Sequence, residues 1–181
     1  MRYEKCEIEG VVLIHPKVWS DERGYFFESF RAEEFCEQVG ARPFVQENQS
    51  LSHKGVVRGL HFQKGEAAQA KLVRVALGAV RDVIVDLRKD SPTFGRWAAF
   101  ELNDTNHSQL YIPRGVAHGF AVLSDTAILQ YKCDRVYAPE AEAGLLWCDP
   151  ALGIDWGVSA SEAVVSAKDQ QWPTFDKCYK F

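Results

Sequence analysis

Two short segments each place a histidine close to a glycine. Residues 55–63 read GVVRGLHFQ and residues 112–120 read IPRGVAHGF, and they contribute His61 and His118. Histidine titrates near neutrality and is the commonest general base of enzymes, above all where a carboxylate fixes its tautomer. These two side chains are therefore the first candidates for proton transfer.

The same segments resemble part of a metal site. Their spacings, G-x5-H and P-x-G-x-x-H, are similar to the two halves of the cupin pattern, in which a jelly roll opens at one end to hold a ligand or a metal. That pattern would need a second histidine at position 63 and a carboxylate near position 67, where this chain has Gln63, Ala67 and Ala68. Because only two of the four ligand positions are filled, we expect no metal.

Three other residues would complete an acid–base site. Asp169 could orient His61, Lys71 could stabilise an oxyanion, and Tyr131 could return a proton as general acid. The sequence alone does not bring Asp169 close to His61. Each candidate also has a structural alternative: a polar strand residue for His61, a solvated lysine for Lys71, a core tyrosine for Tyr131, a helix-end carboxylate for Asp169 and a turn cap for His118.

The elements that must position these residues are predicted to be mostly β. Short runs rich in Val, Ile, Phe and Tyr recur at close spacing and are separated by Gly, Pro, Asn or Asp, a pattern typical of a sandwich or barrel. The runs are 11–15, 24–30, 44–51, 56–63, 71–77, 80–87, 97–102, 109–112, 118–123 and 126–132. Residues 81–87 alternate, with Asp82, Ile84 and Asp86 on one face, which predicts a half-buried strand.

Helix is predicted at only two places. Residues 31–39 carry Phe35 and Cys36 on one apolar face and end before Gly40, a typical helix stop. The sequence Ser-Ala-Ser-Glu before residues 163–167 resembles a capping box and predicts a second short helix there.

Composition limits the function classes. The 181 residues predict one domain, 1–181, at roughly 150 residues per domain. A net charge of −4 gives no basic field for nucleic acid or a membrane surface, and no apolar run could cross a bilayer or serve as a signal peptide. Five scattered cysteines without a C-x-x-C pair indicate reduced thiols. We therefore expect a cytoplasmic protein that binds neither nucleic acid nor membrane.

Seven segments, in order, resemble the dTDP-4-dehydrorhamnose 3,5-epimerase family, a branch of the cupins. They span nearly the whole chain, and together they are far more specific than any one alone. The segments are PKVWSDERGYFFES at 16–29, QENQS at 46–50, VRGLHFQ at 57–63, QAKLVR at 69–74, DLRKDSPTFG at 86–95, IPRGVAHGF at 112–120 and WCDP at 147–150.

The resemblance implies a cupin jelly roll with a few short peripheral helices that works as a homodimer and uses no cofactor. It implies inversion of C3 and C5 of dTDP-4-dehydro-6-deoxyglucose, two carbons that flank a ketone and form an enolate on deprotonation. By matching positions, His61 is the base, Asp169 its orienting carboxylate, Tyr131 the acid and Lys71 the enolate stabiliser.

Matching positions also imply the contacts to the nucleotide and the sugar: Arg23, Glu28, Gln46, Glu47, Asn48, Arg58, His118, Glu142 and Lys168. Arginine suits a diphosphate because its planar fork can bond two oxygens. In the family, the segment from Arg23 to Glu28 reaches the neighbouring subunit's site. Tyr137 is a further candidate, for stacking on thymine.

Other functions stay open from the sequence. A relative that inverts C3 alone or C5 alone would share the same catalytic residues. Outside that class stand a metal-dependent cupin oxygenase and a sugar-nucleotide binding module without catalysis. The tryptophans at 97, 147, 156 and 172 are interpreted as core or interface packing, with Trp19 nearer the site.

One geometric condition follows from spacing. Arg58 and His61 are three residues apart, so they face opposite ways on a regular strand. If both side chains face the ligand, Gly59 must mark a bulge or a sharp twist.

Overall fold

The computed structural model describes residues 1–181 and contains two antiparallel sheets packed face to face. The strands are β1 (Arg2–Lys5), β2 (Val12–His15), β3 (Val18–Asp21), β4 (Gly24–Phe27), β5 (Gln46–His53), β6 (Val56–Gln63), β7 (Lys71–Leu77), β8 (Ala79–Asp86), β9 (Trp97–Asn103), β10 (Gln109–Ile112), β11 (Val116–Val122), β12 (Thr126–Cys133), β13 (Glu142–Gly144) and β14 (Val164–Val165). The one α-helix, α1, spans Ala32–Val39, and single 3₁₀ turns occupy Gly65–Ala67, Pro139–Ala141 and Asp169–Gln171.

The first sheet has the order β1-β2-β10-β7-β12-β5, and the second has the order β13-β6-β11-β8-β9. β3 and β4 form a separate hairpin. This two-sheet sandwich confirms the predicted mostly β fold, and β6, β7 and β10 have the predicted bounds.

Apolar side chains fill three layers. The central layer lies between the sheets and includes Val73 and Leu129 from the first sheet and Ile84 and Phe120 from the second. A second layer covers the outer face of the second sheet beneath the chain that follows residue 145. A third lies outside the first sheet, where Phe35 of α1 packs.

The half-buried strand predicted for residues 81–87 is in fact buried on both of its faces. Val83 and Val85 face the outer layer and Ile84 the central one, while Asp82 and Asp86 are also fully buried. The alternation of residue types is real, but its polar face is the inner face of the sandwich. There Asp86 accepts hydrogen bonds from neighbouring side chains, and Asp82 faces His118.

The predicted second helix is wrong. The Ser159 hydroxyl donates to the Glu162 carboxylate at 2.6 Å, but this contact closes a turn. The chain then extends into β14, which pairs in parallel with β6. The apolar face of α1 is also narrower than predicted, because Phe35 is buried while Cys36 is exposed.

The predicted irregularity at Gly59 is confirmed. His61 lies opposite His118 and Arg58 opposite Phe120, so Gly59 and Leu60 together face one residue of β11. Gly59 has a φ of +138°, and a Cβ there would lie 2.5 Å from the Cα of Gly119. This bulge needs glycine, and it lets Arg58 and His61 face the same cavity.

Candidate active site

A cavity of about 320 Å³ opens between the two sheets, and a smaller one of about 200 Å³ adjoins it. Both are lined by His61, Lys71 and Tyr131. The larger cavity also has polar walls from Gln46, Asn48, Gln63, Gln69, Tyr137 and Glu142, and the smaller one from Ser50, Arg58 and His118.

A short hydrogen bond joins His61 to Asp169. The Nε2 atom of His61 donates to Oδ1 of Asp169 at 2.6 Å, although 108 residues separate the two in sequence. An ionised carboxylate only accepts hydrogen bonds, so Nε2 carries the hydrogen and Nδ1 of the neutral ring is the free base. The Asp169 side chain is buried, whereas His61 keeps 33% of its side-chain surface.

Asp169 stays ionised because several donors converge on it. The backbone N–H of Gly59 donates to Oδ2 at 3.2 Å, and the indole Nε1 of Trp172 donates to Oδ1 at 3.1 Å. Burial alone would raise the pKa of Asp169, but the hydrogen bonds from His61, Gly59 and Trp172 outweigh it and hold the pKa below its usual value. The carboxylate is thus an anion that can stabilise an imidazolium.

The facing sheet supplies Lys71 and Tyr131. Lys71 Nζ lies 5.7 Å from the centre of the Tyr131 ring. Burial lowers the pKa of Lys71, while nearby acidic groups, among them Asp82 and Glu142, oppose that shift. Burial raises the pKa of Tyr131, so its hydroxyl keeps the proton that a general acid must deliver.

A second histidine–aspartate pair lies deeper in the sandwich. Nε2 of His118 donates to Oδ2 of Asp82 at 2.8 Å, and both side chains are nearly or fully buried. The other oxygen of Asp82 has no hydrogen-bond partner. His118 therefore does more than cap its turn: it presents a fixed ring to the smaller cavity.

Strand β5 divides its residues between two faces. Gln46, Asn48 and Ser50 line the cavities. Glu47 lies on the opposite face, where its carboxylate pairs with Lys132 at 2.8 Å. The side chain of Glu47 therefore lies outside the cavity of its own chain, because alternate strand residues point to opposite faces.

Tyr137, Glu142 and Lys168 form a connected group at the mouth of the larger cavity. The Tyr137 hydroxyl donates to Glu142 at 2.7 Å, and Lys168 Nζ lies 2.5 Å from the same carboxylate oxygen. The hydrogen bond to Glu142 raises the pKa of Tyr137 to about 12. Arg58, which lines the smaller cavity and is exposed, donates from Nε to the Ser52 hydroxyl at 2.9 Å.

Arg23 and Glu28 lie elsewhere. Arg23 is on the β3–β4 hairpin, where it pairs with Asp21 at 2.6 Å, and Glu28 pairs with Arg31 at 2.9 Å. Within one chain the structure does not bring these two residues to His61. The hairpin exposes Trp19 and Phe26, so Trp19 is also remote from the cavity of its own chain.

Two residues beside the site were missed from the sequence. Asp82 was assigned to a strand face without function, and Trp172 to packing. The spacing of Asp82 on a strand that neighbours the His118 segment could have indicated the pairing. No sequence signal marks Trp172, because its role depends on the path of the chain after residue 145.

Neither a metal cluster nor a spanning helix is found. No three His, Cys, Asp or Glu side chains converge in a way that could hold a metal ion. None of the helices has the length and apolar character needed to span a bilayer.

A histidine–aspartate pair at one sheet faces a lysine and a tyrosine on the other, an arrangement that suits an epimerase, since an epimerase moves protons on both faces of its substrate. A family model described as dTDP-4-dehydrorhamnose 3,5-epimerase matches residues 5–177, and the chain belongs to this family. The cupin jelly roll and the isomerase class expected from the sequence are thereby confirmed.

Individual relatives agree. The dTDP-4-dehydrorhamnose 3,5-epimerase of Salmonella typhimurium is 50% identical over 96% of this chain and 94% of its own. The crystal structure of the enzyme of that name from Elizabethkingia anophelis NUHP1 has a TM-score of 0.95 at 48% identity and 99% coverage of both chains. A Legionella pneumophila Philadelphia 1 epimerase in complex with dTDP-4-keto-L-rhamnose has a TM-score of 0.93 at 44% identity, covering 97% of this chain and 93% of its own.

Proposed function

We propose that this protein is a dTDP-4-dehydrorhamnose 3,5-epimerase in the biosynthesis of dTDP-L-rhamnose. It inverts C3 and C5 of dTDP-4-dehydro-6-deoxy-D-glucose and gives dTDP-4-dehydro-L-rhamnose, without a cofactor. The observation that carries the proposal is the 2.6 Å contact between His61 and Asp169 on one side of the cavity, with Lys71 and Tyr131 on the facing sheet.

The chemistry follows from these positions. Nδ1 of His61 removes a proton from the carbon beside the C4 ketone, and the electron pair moves to the ketone oxygen as an enolate. The ammonium of Lys71 stabilises that oxygen, and Asp169 stabilises the imidazolium. Tyr131 then returns a proton to the carbon from the opposite face, which inverts its configuration.

The remaining polar walls suit the nucleotide. Arg58 and His118 border the smaller cavity, where hydrogen-bond donors favour phosphate or sugar oxygens. Gln46, Asn48, Glu142 and Lys168 surround the mouth, and the Tyr137 ring is placed for stacking on a base. We assign these residues to substrate binding on that basis.

We further propose that residues 1–181 are a single domain that works as a cytoplasmic homodimer. Exposed aromatic side chains on the β3–β4 hairpin favour burial against a second copy. The hairpin would then carry Arg23 and Glu28 to the partner's cavity. The exposed free thiols of Cys36 and Cys148 suit a reducing compartment.

Solvent exchange tests the activity. The protein is incubated with dTDP-4-dehydro-6-deoxyglucose in deuterium oxide, and C3 and C5 are followed by NMR while a reductase traps the L-rhamno product. Deuterium at both carbons in the wild type, with none in His61→Ala, supports the proposal. Label at one carbon would reassign the protein as a single-site epimerase, and no label with dTDP still bound would leave a binding module.

Mixed dimers test the assembly. Arg23→Ala and His61→Ala chains are inactive alone under this proposal, but a mixed dimer has one intact site because its Arg23 and His61 come from different chains. Random mixing should restore about a quarter of wild-type activity, since half the dimers are mixed and each has one working site of two. If Arg23 acted within its own chain, mixing would restore none.

A further inference from the structure

Trp172 contacts the histidine–aspartate pair from the side away from the cavity. Its indole Nε1 donates to Oδ1 of Asp169 at 3.1 Å, the same oxygen that accepts from His61. The Trp172 ring also meets the His61 ring edge to face, with 6.4 Å between ring centres. Trp172 is not among the residues that line either cavity.

The position of the indole depends on a glycine. Gly144 of β13 pairs in register with His61, and a Cβ at Gly144 would collide with Cδ2, Cε2 and Cδ1 of the Trp172 ring. Lys168 Nζ also lies 5.6 Å from the ring centre. The ring is thus in contact with a bare stretch of backbone and near a cation.

We propose that Trp172 is the positioning residue of the His61–Asp169 pair, and that Gly144 is glycine in order to admit it. The inference rests on the proposed function, because it assigns a role within that acid–base site. Asp169 is the first residue of a short 3₁₀ turn and keeps only 4% of its surface exposed, while Lys168 and Gln170 on either side of it are exposed. The indole covers the carboxylate and fixes its orientation, without touching the substrate.

The charges around the pair decide the expected effect. Glu142 on β13, Lys168 before the 3₁₀ turn and Lys71 on the facing sheet stay in place if only the indole N–H is removed. A carboxylate that loses one donor keeps more of its negative charge for the imidazolium. His61 then stays protonated to a higher pH, and the carboxylate is less firmly oriented.

Trp172→Phe is the direct test, because phenylalanine keeps an aromatic ring and lacks the N–H. We expect kcat to fall about tenfold and KM to change less than about twofold, since only orientation is lost. The acid limb of the pH–rate profile should move up by about half a pH unit. Trp97→Phe is the matched control, because it removes an indole N–H that donates to the Leu152 carbonyl at 2.8 Å, away from the site, and it should change none of these values.

A second readout does not depend on turnover. In protein without substrate, the Nε2 proton of His61 is followed by ¹⁵N-edited NMR, and Trp172→Phe should shift its resonance while Trp97→Phe should not. Gly144→Ala should reproduce the Trp172→Phe shift by displacing the ring. Thermal unfolding establishes that each variant is folded.

The outcomes separate the two claims. An unchanged His61 resonance and pH profile in folded Trp172→Phe would overturn the role of Trp172, and so would a KM increase with kcat preserved. The two claims can also fail separately. If Trp172→Phe shifts the His61 resonance but the wild-type protein exchanges no substrate proton, the positioning role is supported and the epimerase assignment is overturned.

Discussion

Replacing Asp169 by asparagine tests the central contact with almost no change in volume. The carboxylate accepts from His61 and Trp172 on one oxygen and from Gly59 on the other. An amide has a single acceptor oxygen. In a first arrangement that oxygen faces His61, and the amide NH₂ then meets the backbone N–H of Gly59. In a second arrangement the oxygen faces Gly59, and the NH₂ meets the N–H groups of His61 and Trp172, so His61 must change tautomer.

Both arrangements damage the base. In the first, the carboxylate charge that stabilises the imidazolium is gone; a hydrogen bond to a charged group contributes about 1.5–3 kcal/mol, or roughly 10- to 100-fold in rate. In the second, Nδ1 becomes protonated and no base faces the cavity. We therefore expect kcat to fall by about 10²- to 10⁴-fold, where the lower figure follows from the lost charge and the upper one is typical of a catalytic histidine held in the wrong tautomer.

The assay is deuterium incorporation at C3 and C5 at saturating substrate, compared with dTDP affinity by calorimetry. Affinity should stay near the wild-type value. Asp149→Asn is the control, because Asp149 is also a buried carboxylate and accepts from the backbone of Ala151 and Phe175 far from the cavity. The reasoning fails if folded Asp169→Asn retains more than about a tenth of wild-type turnover, or if Asp149→Asn loses as much.

Four further substitutions, at three positions, probe other parts of the site. Gly59→Ala should destabilise the fold by about 2–4 kcal/mol in a thermal or denaturant unfolding measurement, because its Cβ meets the Gly119 backbone at positive φ; wild-type stability would mean that the bulge is not required. Lys71→Met should lower turnover by about 10²- to 10³-fold with dTDP affinity kept, and an active variant would remove the enolate role. Because burial lowers the pKa of Lys71, the wild-type rate should fall at alkaline pH as Lys71 loses its proton. Lys71→Arg, if active, should keep its rate there, because arginine stays charged. If both proteins lose activity at the same alkaline pH, the loss belongs to another group. Asp82→Asn should reduce kcat about tenfold by releasing the His118 ring, and wild-type kinetics would make that pair purely structural.

Ten of the strands could be predicted because each of them has its own local signal, whereas the short strands β1, β3, β13 and β14 were missed. Runs of β-branched and aromatic residues ended by glycine, proline or asparagine gave β6, β7 and β10 their bounds. The burial of β8 was harder to predict. Alternation of polar and apolar residues shows that the two faces of a strand differ, but it does not show which face meets water. The helix predicted at 163–167 failed because pairing with β6 outweighs the local capping pattern.

The candidate site depended on long-range information. The histidines were identifiable from their spacing, whereas Asp169 was one candidate partner of His61 that the sequence could not bring close to it, and only the resemblance assigned it that role. Glu47 and Trp172 show what matching of motifs leaves out. Neighbouring residues of the 46–50 motif face opposite sides of β5, so Glu47 lies on the other face from Gln46 and Asn48. Trp172 belongs to no motif and yet donates to the carboxylate of Asp169. Side-chain direction and chain path are properties of the folded molecule.

His61 stands on one sheet, while Lys71 and Tyr131 stand on the other. Facing sheets pack about 10 Å apart, at a spacing set by the side chains between them. Leu129 of that central layer lies two residues from Tyr131 on the same strand. A bulkier residue there would keep the identity of every reacting group and yet widen the gap that a hexose ring must bridge. We therefore expect the thickness of the hydrophobic core to affect the rate of the reaction as well as the stability of the fold.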